Sequence, residues 1–140
     1  MLFLIAFLFP TLAAVLGPKP ISSVELTLST RGTTKTLTVS ATRAVVDING
    51  AKQSQKITPE QWKKLLDQIN ALDLPRLHIL ESPTDRSAVD AAYNATLRVT
   101  TPQRRYETAS FDHPNPPKQL VALLRTLVES APKAAREEFR

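Results

Sequence analysis

Apolar and polar residues alternate along much of the chain from residue 22 onward. In Ser22–Ser29 and again in Thr34–Thr42 every second residue is apolar, and this period of two predicts half-buried β-strands. Arg43–Ile48 is rich in β-branched residues, which favour strands. Asn49-Gly50 then predicts a tight hairpin leading into a polar edge strand at Lys52–Lys56. The first half therefore begins as a meander of four antiparallel strands.

A change of period at residue 58 predicts a helix. Thr58 is followed by proline and, three residues on, by Gln61, which is the pattern of a capping box with proline in the first turn. Trp62 begins an apolar stripe that recurs at i, i+3, i+4 and i+7. A proline at 75 predicts that the helix ends by about Leu72. We expect Thr58 and Trp62 to be structural residues, one as the cap and the other in the core.

Two more alternating segments, Ala91–Thr100 and Arg105–Phe111, predict a second hairpin. In one register Arg98 faces Glu107 as an ion pair. In a register shifted by one residue, Ala95 faces Phe111 and Leu97 faces Ala109. We favour the shifted register because it pairs apolar with apolar residues along the strands, and a slip of one residue would reverse every side chain.

The segment after this hairpin predicts a second helix. Asn115 precedes two prolines, so we expect Asn115 to be the N-cap and the prolines to occupy the first turn, where missing N–H groups cost little. Pro132 predicts the end of the helix. The chain order ββββ-α-ββ-α predicts an α+β fold, a two-layer sandwich in which an antiparallel sheet of five or six strands carries two helices on one face.

The amino-terminal segment Leu2–Leu16 is apolar and uncharged. It is shorter than the roughly 20 residues of a membrane-spanning helix, and small residues follow it, as in a secretory signal peptide. We therefore expect a signal peptide at 1–17, a spacer at 18–21, one domain at 22–131 and a flexible charged tail at 132–140. The protein is then periplasmic or secreted, with no stable membrane span after cleavage. Two alternatives stay open: an uncleaved anchor that tethers the domain to the membrane, and a buried first strand.

Composition narrows the chemistry. The 140 residues contain no Cys, which excludes disulfides, a Cys-ligated metal and a thiol nucleophile. The net charge of +5 is dispersed along the chain rather than clustered, so we do not expect a nucleic-acid partner. Isolated glycines provide no phosphate-binding loop. We expect no cofactor.

The string Ser110-Phe111-Asp112-His113, followed by Asn115-Pro116-Pro117-Lys118 and a Leu-rich helix, is the most distinctive feature of the chain. In this string, the chain resembles a group of small exported bacterial domains of unknown function. The resemblance extends in outline to the helix start at Thr58 and to Glu81-Ser82-Pro83-Thr84-Asp85. It implies export and a strand–helix C-terminal half, and it implies no activity, cofactor or partner.

Asp112 and His113 form the pair that most resembles a site. They could serve a hydrolase, with Ser110, or bind a metal together with a carboxylate such as Asp85. Triad residues normally come from separated segments of a chain, so we assign no catalytic residue. The sequence does not fix the geometry of a metal site, so we assign no metal ligand. The simpler interpretation is that Asp112 and His113 hold the strand end against the helix start. Asp112, His113 and Asp85 are our candidate binding residues.

Threonines recur at the polar positions of the predicted strands. Such a face is usually the solvated side of an antiparallel sheet, and it could also bind a partner. Our functional hypothesis is an exported, non-catalytic binding or interaction module of the bacterial cell envelope, with an envelope protein or a small ligand as the partner on the exposed sheet face. The alternative is a hydrolase-type or metal-dependent enzyme that uses Asp112 and His113.

Overall fold

The computed structural model describes residues 20–89 and 92–140. The predicted signal peptide at 1–17 lies outside the described residues. Within the described ranges, no helix is long and apolar enough to cross a bilayer.

The sheet has seven strands within the described ranges: β1 Ser23–Thr30, β2 Thr33–Ser40, β3 Arg43–Ile48, β4 Ala51–Lys56, β5 Asn94–Thr100, β6 Arg105–Glu107 and β7 Phe111–Asp112. Six of them form one continuous antiparallel series in the order β4-β3-β2-β1-β5-β6, and the short strand β7 also pairs with β5. The first four strands form the predicted meander, and the Asn49-Gly50 turn has the positive φ angles expected of such a hairpin.

The described part of the chain has two α-helices, α1 (Pro59–Asn70) and α2 (Val121–Ser130), which follow the fourth and the last strand. The antiparallel sheet and the two helices confirm the predicted α+β class. Short 3₁₀ helices fill the connections, at Leu74–Ile79, Arg86–Val89, Lys118–Leu120 and Lys133–Phe139.

The core lies between the helices and one face of the sheet. Alternate residues of β1, β2 and β5 are fully buried there, and the residues between them are half-exposed, as the period of two requires. Leu65 and Ile69 of α1 and Leu123 and Leu127 of α2 belong to the same buried cluster. The opposite face, which we call the outer face, carries the threonines.

The capping box of α1 is confirmed. The Gln61 amide donates to Oγ1 of Thr58 (3.2 Å), and the Thr58 amide donates to Oε1 of Gln61 (2.9 Å). Trp62 packs against the core but stays partly exposed, so it covers the core rather than filling it.

The start of the second helix differs from the prediction. Asn115 does not cap it: the Asn115 amide donates to the carbonyl of Asp112 (3.0 Å) and closes a turn. Pro117 precedes the 3₁₀ helix Lys118–Leu120, which has no side-chain cap, and α2 begins only at Val121. The proline pair delays the α-helix because the chain first completes this turn.

The C-terminal residues depart from the expected flexible charged tail. Lys133–Phe139 is a 3₁₀ helix in which Ala135 and Phe139 are each only 1% exposed. Lys35 of β2 bonds the carboxylate of Glu138 at 2.6 Å. The tail therefore belongs to the core.

The register of the second hairpin changes along its length. Arg98 pairs with Glu107 near the turn, whereas Ala95 pairs with Phe111 farther on. These two pairings differ by one residue, so a β-bulge at Ala109 and Ser110 separates them. The favoured uniform register was correct at Ala95 and wrong near Leu97, which contacts Thr108 instead of Ala109.

Candidate functional site

Asp112 is the last residue of the short strand β7. Its partner in β5 is Asn94, on the outer face of the sheet. The side chain is nevertheless completely buried, with 0% exposure. The connector that precedes β5 covers it.

Hydrogen bonds tie Asp112 to that connector. The hydroxyl of Thr84 and the amide of Arg86 (2.6 Å) both donate to Oδ2 of Asp112. The Asp112 amide donates to the Ser82 hydroxyl (3.2 Å), which in turn donates to the Thr84 carbonyl at 2.5 Å. The side chain thus replaces backbone partners that this irregular segment lacks. Asp112 fixes the loop and is not open to a substrate.

His113 points the other way. Successive residues of an extended chain face opposite sides, so His113 lies on the helical side, where its amide is held by the carbonyl of Tyr93 (3.0 Å). Both ring nitrogens are buried and have no hydrogen-bond partner among the described residues. A buried polar group without a partner is uncommon and calls for an explanation.

The surroundings of His113 favour the neutral imidazole. Burial lowers the pKa of His113 below its ordinary value of 6.5, and the positive charge of Lys35 acts in the same direction. The backbone of Arg140 and Phe139 lies near the ring and partly offsets this lowering of the pKa, although neither residue makes a well-formed hydrogen bond to a ring nitrogen. A neutral imidazole has one N–H donor and one acceptor nitrogen.

His113 lines a pocket of about 390 Å³ between α2 and the C-terminal 3₁₀ helix. We call it the His113 pocket. Its lining is partly apolar and partly basic, with three arginines and one glutamate. The other lining residues are Pro116, Leu124, Arg125, Val128, Glu129, Arg136, Phe139 and Arg140.

The arginines of this pocket differ in their partners. Nε of Arg136 donates to the carbonyl of Ala131 (3.0 Å), and Nη1 of Arg140 bonds the Glu137 carboxylate at 2.5 Å. Arg125 forms no ion pair with a described carboxylate. Arg125 is therefore the guanidinium most available to a ligand.

A larger groove of about 1130 Å³ lies elsewhere, between the end of α1, the 3₁₀ helix Leu74–Ile79 and the start of α2. Apolar side chains such as Leu80 and the exposed Ile79 line much of it. It contains neither Asp112 nor His113. Gln68, with one unpaired amide oxygen, also lines it, but an amide oxygen and nitrogen can be exchanged by a flip of the group. The His113 pocket is the better candidate, since both nitrogens of its imidazole are unpaired.

The candidate residues do not converge on one site. Asp112 is buried under the connector, His113 lines a pocket on the helical side, and Asp85 is exposed on the connector itself. No group of three His, Asp or Glu side chains among residues 20–89 and 92–140 could hold a metal ion. The arrangement thus separates the groups that the enzyme hypothesis needs in one place.

The outer face of the sheet is polar and internally bonded. Thr27 and Thr38 donate to the two carboxylate oxygens of Glu25, at 3.3 and 3.1 Å. Arg98 bridges this carboxylate to that of Glu107, with N–O distances of 3.5 and 3.0 Å. The centre of this face therefore already uses much of its hydrogen-bonding capacity.

Sequence reasoning missed Arg136 and Arg140 of the His113 pocket, because it treated residues 132–140 as a tail. A signal was present: Ala131, Ala135 and Phe139 recur every four residues and are all buried. This spacing marks one face of a helical turn. It would have placed Arg136 and Arg140 beside the domain.

We compared the chain with family models, curated protein sequences and solved structures, and found no match in any of the three.

Proposed function

We propose that this protein is an exported, non-catalytic binding module of the bacterial cell envelope, and that the His113 pocket is its ligand site. Export rests on the apolar run Leu2–Leu16. The binding role rests on one observation above the others: both ring nitrogens of His113 are buried without a hydrogen-bond partner, and His113 is a lining residue of an open pocket.

The pocket supports a ligand of definite chemistry. Its volume is at the lower end of the range of about 300–1000 Å³ that is usual for small-molecule sites. Arg125 offers a planar donor that matches a carboxylate, and Leu124, Val128 and Phe139 offer an apolar wall. His113 adds one donor and one acceptor. We therefore propose a small amphipathic anion, with a carboxylate on a short apolar tail.

A titration followed by NMR tests this function. The purified protein is titrated with hexanoate, and with hexanol as the uncharged probe of equal tail length, while the imidazole signals of both histidines are recorded. Saturable shifts at His113 with hexanoate, at least ten times weaker with hexanol, are expected. The absence of saturable shifts at His113 with either probe contradicts the proposal.

Matched variants separate binding from folding. His113→Phe replaces the imidazole, whose nitrogens have no hydrogen-bond partner, by an apolar ring and should keep the fold. Arg125→Gln removes the guanidinium that forms no ion pair. Both should weaken hexanoate binding at least ten-fold. His78→Gln changes the other histidine, which is exposed on the 3₁₀ helix Leu74–Ile79, and should bind like the wild type. Equal binding by all three variants would place the hexanoate elsewhere.

A further inference from the structure

One row of side chains on the outer face crosses the six strands β4-β3-β2-β1-β5-β6 at the end of the sheet where β1 begins. Cross-strand pairing aligns its members, with Lys56 beside Arg43 and Arg105 beside Thr100. Ser23 lies between Ser40 and Thr100 at the centre. We call it the basic row; it consists of Lys56, Arg43, Ser40, Ser23, Thr100 and Arg105.

The cations of the basic row have no described carboxylate within ion-pair distance. Arg43, Lys56 and Arg105 are all exposed. The acids of the neighbouring row, Glu25 and Glu107, are both bound to Arg98. The basic row therefore has a positive charge that the adjacent surface does not neutralise.

The shape of the row suits an extended anionic surface better than a single small ion. Six strands about 4.8 Å apart spread the row over about 24 Å. Hydroxyl groups fill the interval between the cations at either side. Spaced cations with hydroxyl donors between them match a layer of phosphate headgroups, whereas a single phosphate would need donors that converge.

The chain enters the sheet at this same end, after the apolar segment Leu2–Leu16. Ser23 lies in the basic row, and the amide of Ser22 bonds the carbonyl of Thr100 at 2.8 Å. Seven residues lead from Leu16 to Ser23, and seven residues span at most about 25 Å. If Leu2–Leu16 remains in a membrane, the basic row is held within that distance of the membrane surface.

We propose that the basic row is a docking surface for the headgroups of an anionic lipid bilayer. Each basic residue near such a surface strengthens attachment about five-fold, and salt screens the effect. Docking through this row holds the outer face next to the bilayer and leaves the helical layer, with the larger groove, turned away from it. This interaction is independent of the His113 pocket.

The absence of Cys from the chain allows a direct test with single fluorophores. The full chain carrying Thr42→Cys, beside the basic row, is reconstituted into vesicles with headgroup-labelled acceptor lipid. Energy transfer is compared between phosphatidylcholine vesicles and vesicles containing one quarter phosphatidylglycerol. Transfer should be higher in the anionic vesicles and should fall to the phosphatidylcholine level in 0.5 M salt. A label at Lys118→Cys, on the helical layer, should respond much less.

Charge variants identify the residues responsible. The triple change Arg43→Gln, Lys56→Gln and Arg105→Gln should abolish the extra transfer. The matched triple change Lys64→Gln, Lys118→Gln and Lys133→Gln removes the same charge from exposed sites on the helical layer and should keep it. Equal transfer in both lipids, or equal loss in both triple variants, overturns the proposal. Displacement by soluble polyphosphate at a phosphate concentration equal to that of the lipid overturns the lipid assignment in favour of a general polyanion.

Discussion

Thr108 bonds the backbone of Leu97 twice. The Thr108 amide donates to the Leu97 carbonyl (2.9 Å), and the Leu97 amide donates to the Thr108 hydroxyl (3.0 Å). The second bond replaces the backbone carbonyl that a regular antiparallel ladder would supply. A side chain thus satisfies the strand where the β-bulge interrupts the pairing, and this lets one hairpin use two registers.

Thr108→Val should destabilise the protein by about 1–3 kcal/mol, because the buried Leu97 amide loses its acceptor. Thr108→Ser keeps the hydroxyl and should cost less than about 1 kcal/mol. Urea unfolding measures both, and hydrogen exchange at the Leu97 amide should speed up in the valine variant alone. A serine variant that loses as much stability as the valine variant would show that the hydroxyl bond to Leu97 is not the main contribution of Thr108.

The β-bulge shows what the alternation of apolar and polar residues could not predict, which is a change of register within one hairpin. Periodicity assumes that one alternation runs along the whole strand, so it offers two uniform registers as alternatives. The ion pair of Arg98 with Glu107 and the apolar pair of Ala95 with Phe111 are both present. Each is correct for half of the hairpin. Both pairings can be present only if one strand has an extra residue between them, and a strict alternation of apolar and polar residues does not predict an extra residue.

Local signals were more reliable than those that depend on tertiary packing. The start of α1 was predictable because the bonds between Thr58 and Gln61 span three residues. The state of residues 132–140 was not, because Phe139 is buried by residues far from it in sequence. The candidate pair Asp112 and His113 was identified, but strand geometry sends the two side chains to opposite sides.

Phe139→Ala should cost about 3–5 kcal/mol, as expected for a buried aromatic residue cut back to alanine. Arg140→Ala, next to it in sequence, removes only an exposed ion pair with Glu137 and should change the stability by less than about 0.5 kcal/mol. Urea unfolding of both variants provides the comparison. If both variants change the free energy of unfolding by a similarly small amount, residues 132–140 are a loose tail rather than part of the core.

Asp112→Ala should loosen the connector at residues 82–86. The change leaves the hydroxyl of Thr84 and the amide of Arg86 without their acceptor, at a cost on the order of 2–4 kcal/mol in unfolding free energy. Trypsin should then cut after the exposed Arg86 faster than in the wild type.

Asp85→Asn is the control for this connector, because Asp85 is exposed on the same segment. It should leave both stability and the rate of cleavage close to the wild type. If Asp112→Ala is cut no faster than Asp85→Asn, Asp112 does not anchor the loop.

His113 should make stability depend on pH in a defined direction. Burial lowers its pKa below 6.5 in the folded protein, whereas the unfolded chain has the ordinary value. The unfolded state therefore takes up a proton first as the pH falls below 6.5, and the folded state loses stability relative to it. This contribution is complete above pH 6.5 and is lost as the pH falls through the folded pKa.

His113→Phe removes this titration and replaces an unpaired polar ring by an apolar one. The variant should be at least as stable as the wild type at pH 7.5, and its advantage should grow between pH 7.5 and pH 5. Urea unfolding at several pH values measures the difference, in which the contributions of all other titratable groups cancel because both proteins contain them. NMR titration of the His113 ring should place its pKa below 6.5. A gap that stays constant with pH, or a ring that titrates above 6.5, means that polar groups solvate the imidazole and that the His113 pocket has no unpaired donor to offer a ligand.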